Sequence, residues 1–524
     1  IQSIYDAGPN AALNMRNGAM TLRGIENIEF SARQKVALKP DSSEVTMRAD
    51  RNMDFNGRLF AGFTVLEGKK FRFDYNKFLV HLDSVRYFDI FLPTGEFDKN
   101  RNPIAFGIQS RIEYLSGAML IDAPGNKSGR DNIVLFPSLE SKSKSFVFYD
   151  RKETQQGVYV RDSFYFELAP FSFQHLDVLA AKDLVFKGKL LSSDIFPPIA
   201  ESISLQADQS LGFISNTPEK GLPAYRAKGN YTGAIELSNL GLLGKGNLSY
   251  LGAELNAKDI IFKPAEMLAK ADLFDMKEAR SGAIQTPQVH GDSVSILWRP
   301  YRDSMYISSE TAPFAIFQSG KHTVAGTLIL TPGGLKGNGL LEWDKAGLRS
   351  KLLSFGANSV KADTSDIDIR TIGVEGVAIR TKNVNSDLDF DKKIGKFKAN
   401  TPGVWTDFPY NQYQTSLNEF IWNMDEETIV FKSEKGVKGK FRSVHPDQDS
   451  LNFEGETAYY DLKSNELRLG GVEYLIAADA FVYPDSGLVA VQAGGEMRTL
   501  ENARIIADTL NRNHVINRAT VNVR

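Results

Sequence analysis

Many short segments of this chain alternate apolar and polar residues with a period of two. Clear examples are residues 71–75 (Phe-Arg-Phe-Asp-Tyr), 163–168 (Ser-Phe-Tyr-Phe-Glu-Leu) and 366–370 (Asp-Ile-Asp-Ile-Arg). Successive side chains of a strand point to opposite faces, so this pattern predicts strands with one buried face. Gly, Pro, Asn and Asp turns separate the segments, and long amphipathic helices are missing. The pattern therefore predicts an all-β protein with few helices.

The chain also repeats itself over a longer distance. Residues 233–274 align with residues 326–367 at a constant offset of 93, without a gap. The matched positions are mostly glycine or apolar, among them Gly233 with Gly326, Leu242 with Leu335, Leu248 with Leu341, Tyr250 with Trp343, and Phe262 with Phe355. Two copies that share a backbone path and a buried face match at their glycine and apolar positions. We therefore expect two copies of one supersecondary unit.

A second internal match joins residues 40–47 to residues 484–491, and both segments begin with Pro-Asp-Ser. Proline fixes φ at about −65° for the first central residue of a turn, and the side chains of Asp and Ser form hydrogen bonds to nearby backbone amides. We therefore expect the same turn between two strands at both places.

Near the C-terminus, Ala458, Ala480 and Ala503 each open an Ala-x-apolar step, with spacings of 22 and 23 residues. Rungs of a repeat architecture have about this length, which predicts one column of stacked small residues. On this interpretation, Ala480→Glu should destabilise the protein by several kcal/mol through overpacking and an unpaired buried charge. Residues 264–276 and 500–510 look helical alone, but their repeat context predicts strands or irregular edges.

These features together predict an elongated all-β repeat architecture, either a β-solenoid or a stack of jelly-roll or sandwich units. At 524 residues a single compact core is not expected. We expect a β-rich region over residues 1–200, a second over 201–400 that holds both repeat copies, and C-terminal β-rungs over 401–524. The final segment resembles an unfinished strand and the first residue is Ile1, so we expect a truncated piece of a larger precursor.

Composition narrows the class of protein. The 34 Phe, 18 Tyr and 43 Gly are spread over the whole length, so the chain can bury a large core. The 62 basic and 64 acidic residues are interleaved, which argues against nucleic-acid binding. No run of about 18 apolar residues predicts a transmembrane helix. Cysteine is absent, which excludes disulfides and thiolate sites and favours export to an envelope compartment.

Candidate catalytic and metal-binding motifs are weak. No two of the six histidines lie within a helical turn of each other, so no metal pair is predicted. His290-Gly291-Asp292-Ser293 holds the residue types of a serine hydrolase, without a Gly-x-Ser-x-Gly elbow. We interpret these as ordinary residues and predict no catalytic, cofactor-binding or metal-binding residues and no cofactor.

Two further motifs have a structural explanation. The acidic run at residues 387–391 has the carboxylate spacing of a calcium loop, but strand alternation produces the same spacing. Residues 241–246 (Gly-Leu-Leu-Gly-Lys-Gly) superficially match a phosphate loop, although the required spacing and the Ser or Thr after lysine are missing. We interpret the first as a solvated strand and the second as a structural turn.

Several short segments carry a resemblance to a known group of proteins. Residues 125–129, 208–213, 241–250, 483–485 and 499–503 resemble a family of very long exported β-rich proteins of Bacteroidota, generally uncharacterised. The resemblance implies export to the periplasm or outer membrane, and no activity.

A weaker resemblance lies in residues 453–460 and 467–472. These two segments are similar to the rung pattern of the organic-solvent-tolerance or lipopolysaccharide-transport group. The jelly-roll units of that group stack into an open groove for lipid. Tyr459, Asp461, Lys463 and Arg468 add polarity that such a groove would have to turn outward.

The sequence thus favours a non-enzymatic, exported cell-envelope protein that serves as a scaffold or as a contact surface for lipid, glycan or another envelope protein. The alternatives are a carbohydrate-active enzyme and a surface adhesin. The enzyme would need two carboxyl groups in a cleft lined by Trp298, Trp343, Trp405 or Trp422.

Overall fold

The computed structural model describes residues 1–101, 103–280, 284–432, 437–449 and 451–523. Strands make up 59% of the chain and helical turns only 5%, which confirms the predicted all-β class. The chain divides into two compact units, of which the first holds residues 1–248 and 258–267 and the second holds residues 249–257 and 268–524. The cuts near residues 200 and 400 stay predictions.

The strands of the first unit are β1 (Ala11–Asn14), β2 (Ala19–Arg23), β3 (Ile28–Ser31), β4 (Val36–Pro40), β5 (Glu44–Met47), β6 (Met53–Ala61), β7 (Thr64–Asp74), β8 (Leu79–Phe97), β9 (Pro103–Gly107), β10 (Ile112–Leu120), β11 (Ser138–Ser141), β12 (Ser145–Phe148), β13 (Phe164–Leu168), β14 (Ser172–Phe173), β15 (Val185–Ser192), β16 (Ile199–Leu205), β17 (Leu211–Asn216), β18 (Leu222–Ala224) and β19 (Gly229–Ser238). Residues of both units form β20 (Gly241–Tyr250), β21 (Ala253–Phe262) and β22 (Met267–Met276).

The strands of the second unit continue as β23 (Val289–Arg299), β24 (Ser304–Ser309), β25 (Phe314–Ile316), β26 (His322–Thr331), β27 (Gly334–Trp343), β28 (Ala346–Phe355), β29 (Ser359–Arg370), β30 (Val377–Asp389), β31 (Ile394–Ala399), β32 (Thr406–Phe408), β33 (Tyr413–Thr415), β34 (Glu419–Asn423), β35 (Thr428–Lys432), β36 (Gly439–Ser443), β37 (Asn452–Gly455), β38 (Thr457–Asp461), β39 (Glu466–Gly470), β40 (Leu475–Ala477), β41 (Ala480–Tyr483), β42 (Val489–Val491), β43 (Leu500–Ala507) and β44 (His514–Val521).

Within the described ranges, helical structure is confined to single turns. One α-helical turn, α1 (Pro124–Lys127), lies in the segment 122–132. The 3₁₀ turns are Asp41–Ser43, Gln155–Gly157, Ala181–Asp183, Pro300–Arg302, Pro446–Gln448, Asp485–Gly487 and Ala493–Gly495. The two segments that look helical in isolation form strands β22 and β43, as their repeat context predicts.

The first unit is built on long antiparallel hairpins. Strands β6, β7, β8 and β10 pair in that order, and their inward residues are apolar and buried. Phe55 and Phe71 meet edge-to-face with ring centroids 5.5 Å apart, a favourable aromatic geometry. Strand β10 then divides the ladder, because its N-terminal residues pair with β12 and its C-terminal residues pair with β11.

The predicted long repeat is visible in the strand bounds. Strands β19, β20 and β21 begin and end 93 residues before β26, β27 and β28, and β22 overlaps the shifted β29. Gly233 and Gly326 have φ of +144° and +148°. A Cβ atom on Gly326 would lie 2.1 Å from the carbonyl oxygen of Asn338 on the neighbouring strand. Both copies therefore need glycine where two strands approach closely.

The predicted turn at the second match is also present twice. Ser42 has φ and ψ of 54° and 16°, and Ser486 has 57° and 13°. Each turn follows a proline in extended conformation and leads into a strand, β5 in the first unit and β42 in the second.

In the second unit, two series of antiparallel strands grow from β30. Series A consists of β30, β31, β34, β35, β38, β39 and β42, each paired with the next. Series B consists of β30, β32, β33, β36, β37, β40, β41, β43 and β44. The chain makes a hairpin in one series and then crosses to the other. This antiparallel pairing favours the sandwich among the predicted alternatives over a parallel solenoid.

The two series face each other across a filled apolar layer. Phe408 of series B stacks on Tyr460 of series A at 5.8 Å and lies 5.4 Å from Phe431 of the same series. These three rings are almost completely buried. Close packing of this kind leaves the interior of this region to structural side chains.

A buried amide ties hairpin turns of the two series together. The Asn411 side chain donates to the carbonyl oxygens of Asn465 and Val491 at 3.0 and 3.1 Å, and accepts from the Tyr460 hydroxyl at 2.8 Å. Glu466, the residue after Asn465, is buried and lies 2.7 and 2.5 Å from guanidinium nitrogens of Arg468 and Arg498. Buried polar groups are thereby paired at the corner.

The predicted column of stacked alanines is wrong. Ala458 lies in series A, opposite Phe431 and Leu469, whereas Ala480 and Ala503 lie in series B. Ala480 is partly exposed and pairs with Ala477 and Ala507 instead. The spacing of 22 residues therefore carries the chain from one series to the other.

This placement reverses the expectation for the alanine variants. We expect Ala458→Glu to lower the free energy of unfolding by roughly 3 kcal/mol or more, because the charge would be buried among apolar side chains. Ala480→Glu should cost less than about 1 kcal/mol. Urea unfolding followed by tryptophan fluorescence reports on the second unit, which holds all four tryptophans. Equal losses in the two variants would contradict the assignment of series A and B.

Candidate functional site

The hydrolase-like residue types near His290 do not form a catalytic triad. The imidazole Nδ1 of His290 lies 2.7 Å from Asp275 and its Nε2 lies 3.5 Å from Asp292. Both nitrogens thus face carboxylates, which leaves neither to activate Ser293. The hydrogen bond to Asp275 raises the pKa of His290, and the charges of Asp275 and Asp292 add to the rise.

The acidic run at residues 387–391 is a solvated strand end, as interpreted from the sequence. Asp387 pairs with Lys361 at 3.1 Å, Asp389 pairs with Lys392 at 2.8 Å, and Asp391 lies 2.8 Å from Arg280. The carboxylates therefore serve different cations. In the part of the chain that the structure describes, no three His, Cys, Asp or Glu side chains are grouped as metal ligands would be. The glycine-rich segment 241–246, interpreted from the sequence as a structural turn, is instead part of strand β20.

The tryptophans separate into two classes. Trp298, Trp343 and Trp422 are buried, and Trp343 stacks on Trp422 with ring centroids 6.2 Å apart. Trp405 is only half-buried and lies directly before β32 in series B. It is therefore the tryptophan whose ring is placed to meet a ligand.

The groove beside Trp405 follows from strand alternation. Phe441, Phe453 and Leu475 are successive partners in series B and all point into the apolar layer. Their sequence neighbours must therefore point to the opposite, outward face. The outward neighbours and Trp405 enclose an open groove of about 400 Å³, lined by Trp405, Lys438, Lys440, Arg442, Asn452, Glu454, Glu473, Tyr474 and Ile476 together with edges of Phe441 and Phe453.

The groove combines aromatic rings with charged hydrogen-bonding groups. The Arg442 guanidinium lies over the Trp405 ring, 5.0 Å from its centroid. Lys438 pairs with Glu473 at 3.1 Å, and Lys440 stands opposite Glu454 on the neighbouring strand. Hydrogen bonding and coulombic attraction to Glu473 raise the pKa of Lys438, so this amine stays charged. Ring faces next to paired charges can bind a flat polar molecule.

The same face continues beyond the groove as an aromatic band. Tyr474 is 38% exposed and meets Phe481 and Tyr483 with ring centroids 5.2 and 5.8 Å away. Arg504 lies over the Tyr483 ring and Arg512 lies over the Phe481 ring, at 5.8 and 5.1 Å. We name the outward residues Trp405, Arg442, Tyr474, Phe481, Tyr483, Arg504 and Arg512 the aromatic band.

A second cleft in this unit is occupied by its own ion pairs. It measures about 390 Å³, and Trp343, Phe390 and His322 form its aromatic wall. On its rim Arg280 binds Asp391 at 2.8 Å, and Lys393 lies 2.6 Å from Asp425. Burial lowers the pKa of His322, which keeps the imidazole neutral at neutral pH.

A larger surface depression of about 960 Å³ lies on the outer face of β27 to β29. It marks a break in the ladder, where Ser350 donates to the carbonyl oxygen of Thr364 at 2.7 Å in place of a lost backbone bond. Among the described residues, the aromatic band is the best candidate contact site.

Comparison with known proteins adds no relative: no protein-family model matches the chain, and no curated protein matches its sequence. Within the described ranges, every helix is too short or too polar to cross a membrane.

Sequence reasoning identified Trp405 only as one of four tryptophans and missed the arginines and tyrosines beside it. The missed signal is alternation around Phe441 and Phe453, which places Arg442, Asn452 and Glu454 on one face. The pairing of strands far apart in sequence, such as β41 with β43, could not be obtained from local pattern.

We expect His290 to titrate above its ordinary pKa of 6.5, because Asp275 and Asp292 favour the imidazolium. Its contribution to stability is then complete below the unfolded pKa and is lost as the pH rises through the folded pKa. NMR titration of the His290 ring protons measures the shift, and Asp275→Asn should lower the pKa toward the ordinary value. An unchanged pKa in that variant would show that the pair does not form.

Proposed function

We propose that this protein is a non-enzymatic, exported cell-envelope protein and that the aromatic band of its second unit is a contact surface for glycan. The observation that carries the proposal is the outward groove in which Trp405 and Tyr474 stand beside Lys440, Arg442, Asn452 and Glu454. Sugar rings offer an apolar face and a rim of hydroxyl groups. Aromatic side chains match the face, and charged or amide groups match the rim.

Glycan is favoured over lipid by the packing between the two strand series. A lipid chain needs an apolar cavity, whereas Phe408, Phe431 and Tyr460 fill the layer that an open lipid groove would require. The exposed band alternates aromatic rings with arginines, which suits a polar ligand. The absence of cysteine over 524 residues supports export.

The proposal predicts that Trp405→Ala weakens binding to soluble polysaccharide about tenfold or more, because a half-buried tryptophan in a groove supplies much of a contact's energy. Affinity electrophoresis against a panel of neutral and acidic polysaccharides measures the loss in the full chain. Tyr301→Ala is the control, since Tyr301 is 43% exposed in the same unit but lies outside the groove. Binding that survives Trp405→Ala, or no binding to any polysaccharide, would contradict the proposal.

A carbohydrate-active enzyme is the second candidate, because Glu454 and Glu473 line the same groove as Trp405. Glu473 is bound to Lys438 at 3.1 Å, so its carboxylate is engaged by a side chain of the protein itself. Reducing-end release from the bound polysaccharide tests this candidate. Release that Glu454→Gln abolishes would establish the enzyme, and binding without release would support the contact surface.

A further inference from the structure

Three arginines of the aromatic band share one arrangement. Arg442, Arg504 and Arg512 are exposed, and each guanidinium lies over an aromatic ring, with distances of 5.0, 5.8 and 5.1 Å to the ring centroids. Arg504 stands directly opposite Tyr483 on the neighbouring strand. Stacking on a ring restricts the side chain and leaves the edge of the guanidinium fork available for hydrogen bonds.

Three other ring-stacked arginines of the chain are each bound to a carboxylate, unlike these three. Arg111 and Arg161 of the first unit also lie over rings, but each is bound to a carboxylate, with nitrogen–oxygen distances of 2.6 Å to Asp89 and 2.8 Å to Glu113. Arg468 of the second unit is bound to Glu466 in the same way. In those places the protein neutralises its own guanidinium.

No such neutralisation is present in the aromatic band. Among the described residues, no carboxylate lies within 4.0 Å of the guanidinium nitrogens of Arg442, Arg504 or Arg512, and the side-chain partner of Arg442 is the amide of Gln414. Two acidic residues close to these arginines along the chain are engaged elsewhere. Asp508, four residues before Arg512, accepts from Asn511, and Glu501, three residues before Arg504, accepts from the Thr520 hydroxyl.

We infer that the aromatic band binds an acidic polysaccharide, whose carboxylate or sulfate groups pair with Arg442, Arg504 and Arg512. This inference rests on the proposed function and adds the class of glycan to it. An arginine fork binds such oxyanions through two parallel hydrogen bonds, so three guanidinium groups that the described residues leave without a carboxylate select for negative charge on this face. The sugar faces stack on Trp405, Tyr474 and Tyr483.

The geometry also orients the glycan. Arg442 lies on β36, Tyr474 lies directly before β40, Tyr483 lies on β41, and Arg504 lies on β43. Neighbouring strands of a sheet are about 4.8 Å apart, so successive ring and guanidinium positions are spaced across the strands. The polysaccharide therefore runs perpendicular to the strands of series B and contacts several of them.

The test compares polygalacturonate, which carries free carboxylates, with the same polymer after full methyl esterification. We expect tighter binding of the free acid, and an affinity that falls as the NaCl concentration rises from about 50 to about 500 mM, because exposed charges are screened by salt. In Arg504→Gln/Arg512→Gln, binding of the free acid should fall about tenfold and binding of the ester should not change. Arg349→Gln is the control, because Arg349 is exposed on β28 outside the band.

The outcomes separate this inference from the proposed function. If Trp405→Ala weakens both polymers while Arg504→Gln/Arg512→Gln weakens neither, the contact surface stands and the acidic ligand is wrong. Equal affinity for the acid and the ester would also overturn the inference. If neither polymer binds and phosphatidylglycerol vesicles do, both statements fail. Circular dichroism of each variant shows whether the fold is kept, and Arg504→Lys/Arg512→Lys separates the loss of charge from the loss of the planar fork.

Discussion

The apolar layer between the two strand series of the second unit is the constraint on which the rest of that unit depends. Phe408 reaches across the layer to Phe431 and Tyr460, and the layer is filled. Most inward positions of these strands are therefore apolar, and polar exceptions such as Thr406, Thr415 and Ser443 are small. Binding chemistry is left to the outward positions, which explains why the aromatic band lies on the outer face of series B.

A second demand comes from the crossings between the series. Each crossing removes backbone groups from the ladder, and buried groups without partners would cost free energy. Asn411, in the turn between β32 and β33, donates to the carbonyl oxygen of Val491 at 3.1 Å, and Gln448, in the turn between β36 and β37, donates to that of Gly495 at 2.7 Å. Both turns therefore hold the crossing from β42 to β43. The corners are thus polar and rigid, and they hold the strands whose outward residues form the groove.

The all-β class, the offset of 93 residues and the paired Pro-Asp-Ser turns could be predicted, because they depend on local alternation and on direct comparison within the chain. The prediction of an alanine column was wrong, because equal spacing along the chain does not show whether two strands belong to the same series or to different ones. For the site, burial of Trp298 and Trp422 and exposure of Trp405 depend on strand register. The arginines of the band come together only through pairing of distant strands.

The most direct test of the account is ¹⁹F NMR of the full chain labelled with 5-fluorotryptophan, recorded while polygalacturonate is added. The four tryptophans give four resonances, and three of them belong to buried rings that serve as internal controls. The account predicts that the Trp405 resonance shifts or broadens with saturation while those of Trp298, Trp343 and Trp422 stay unchanged. A titration that leaves Trp405 unchanged while the polymer binds would contradict it.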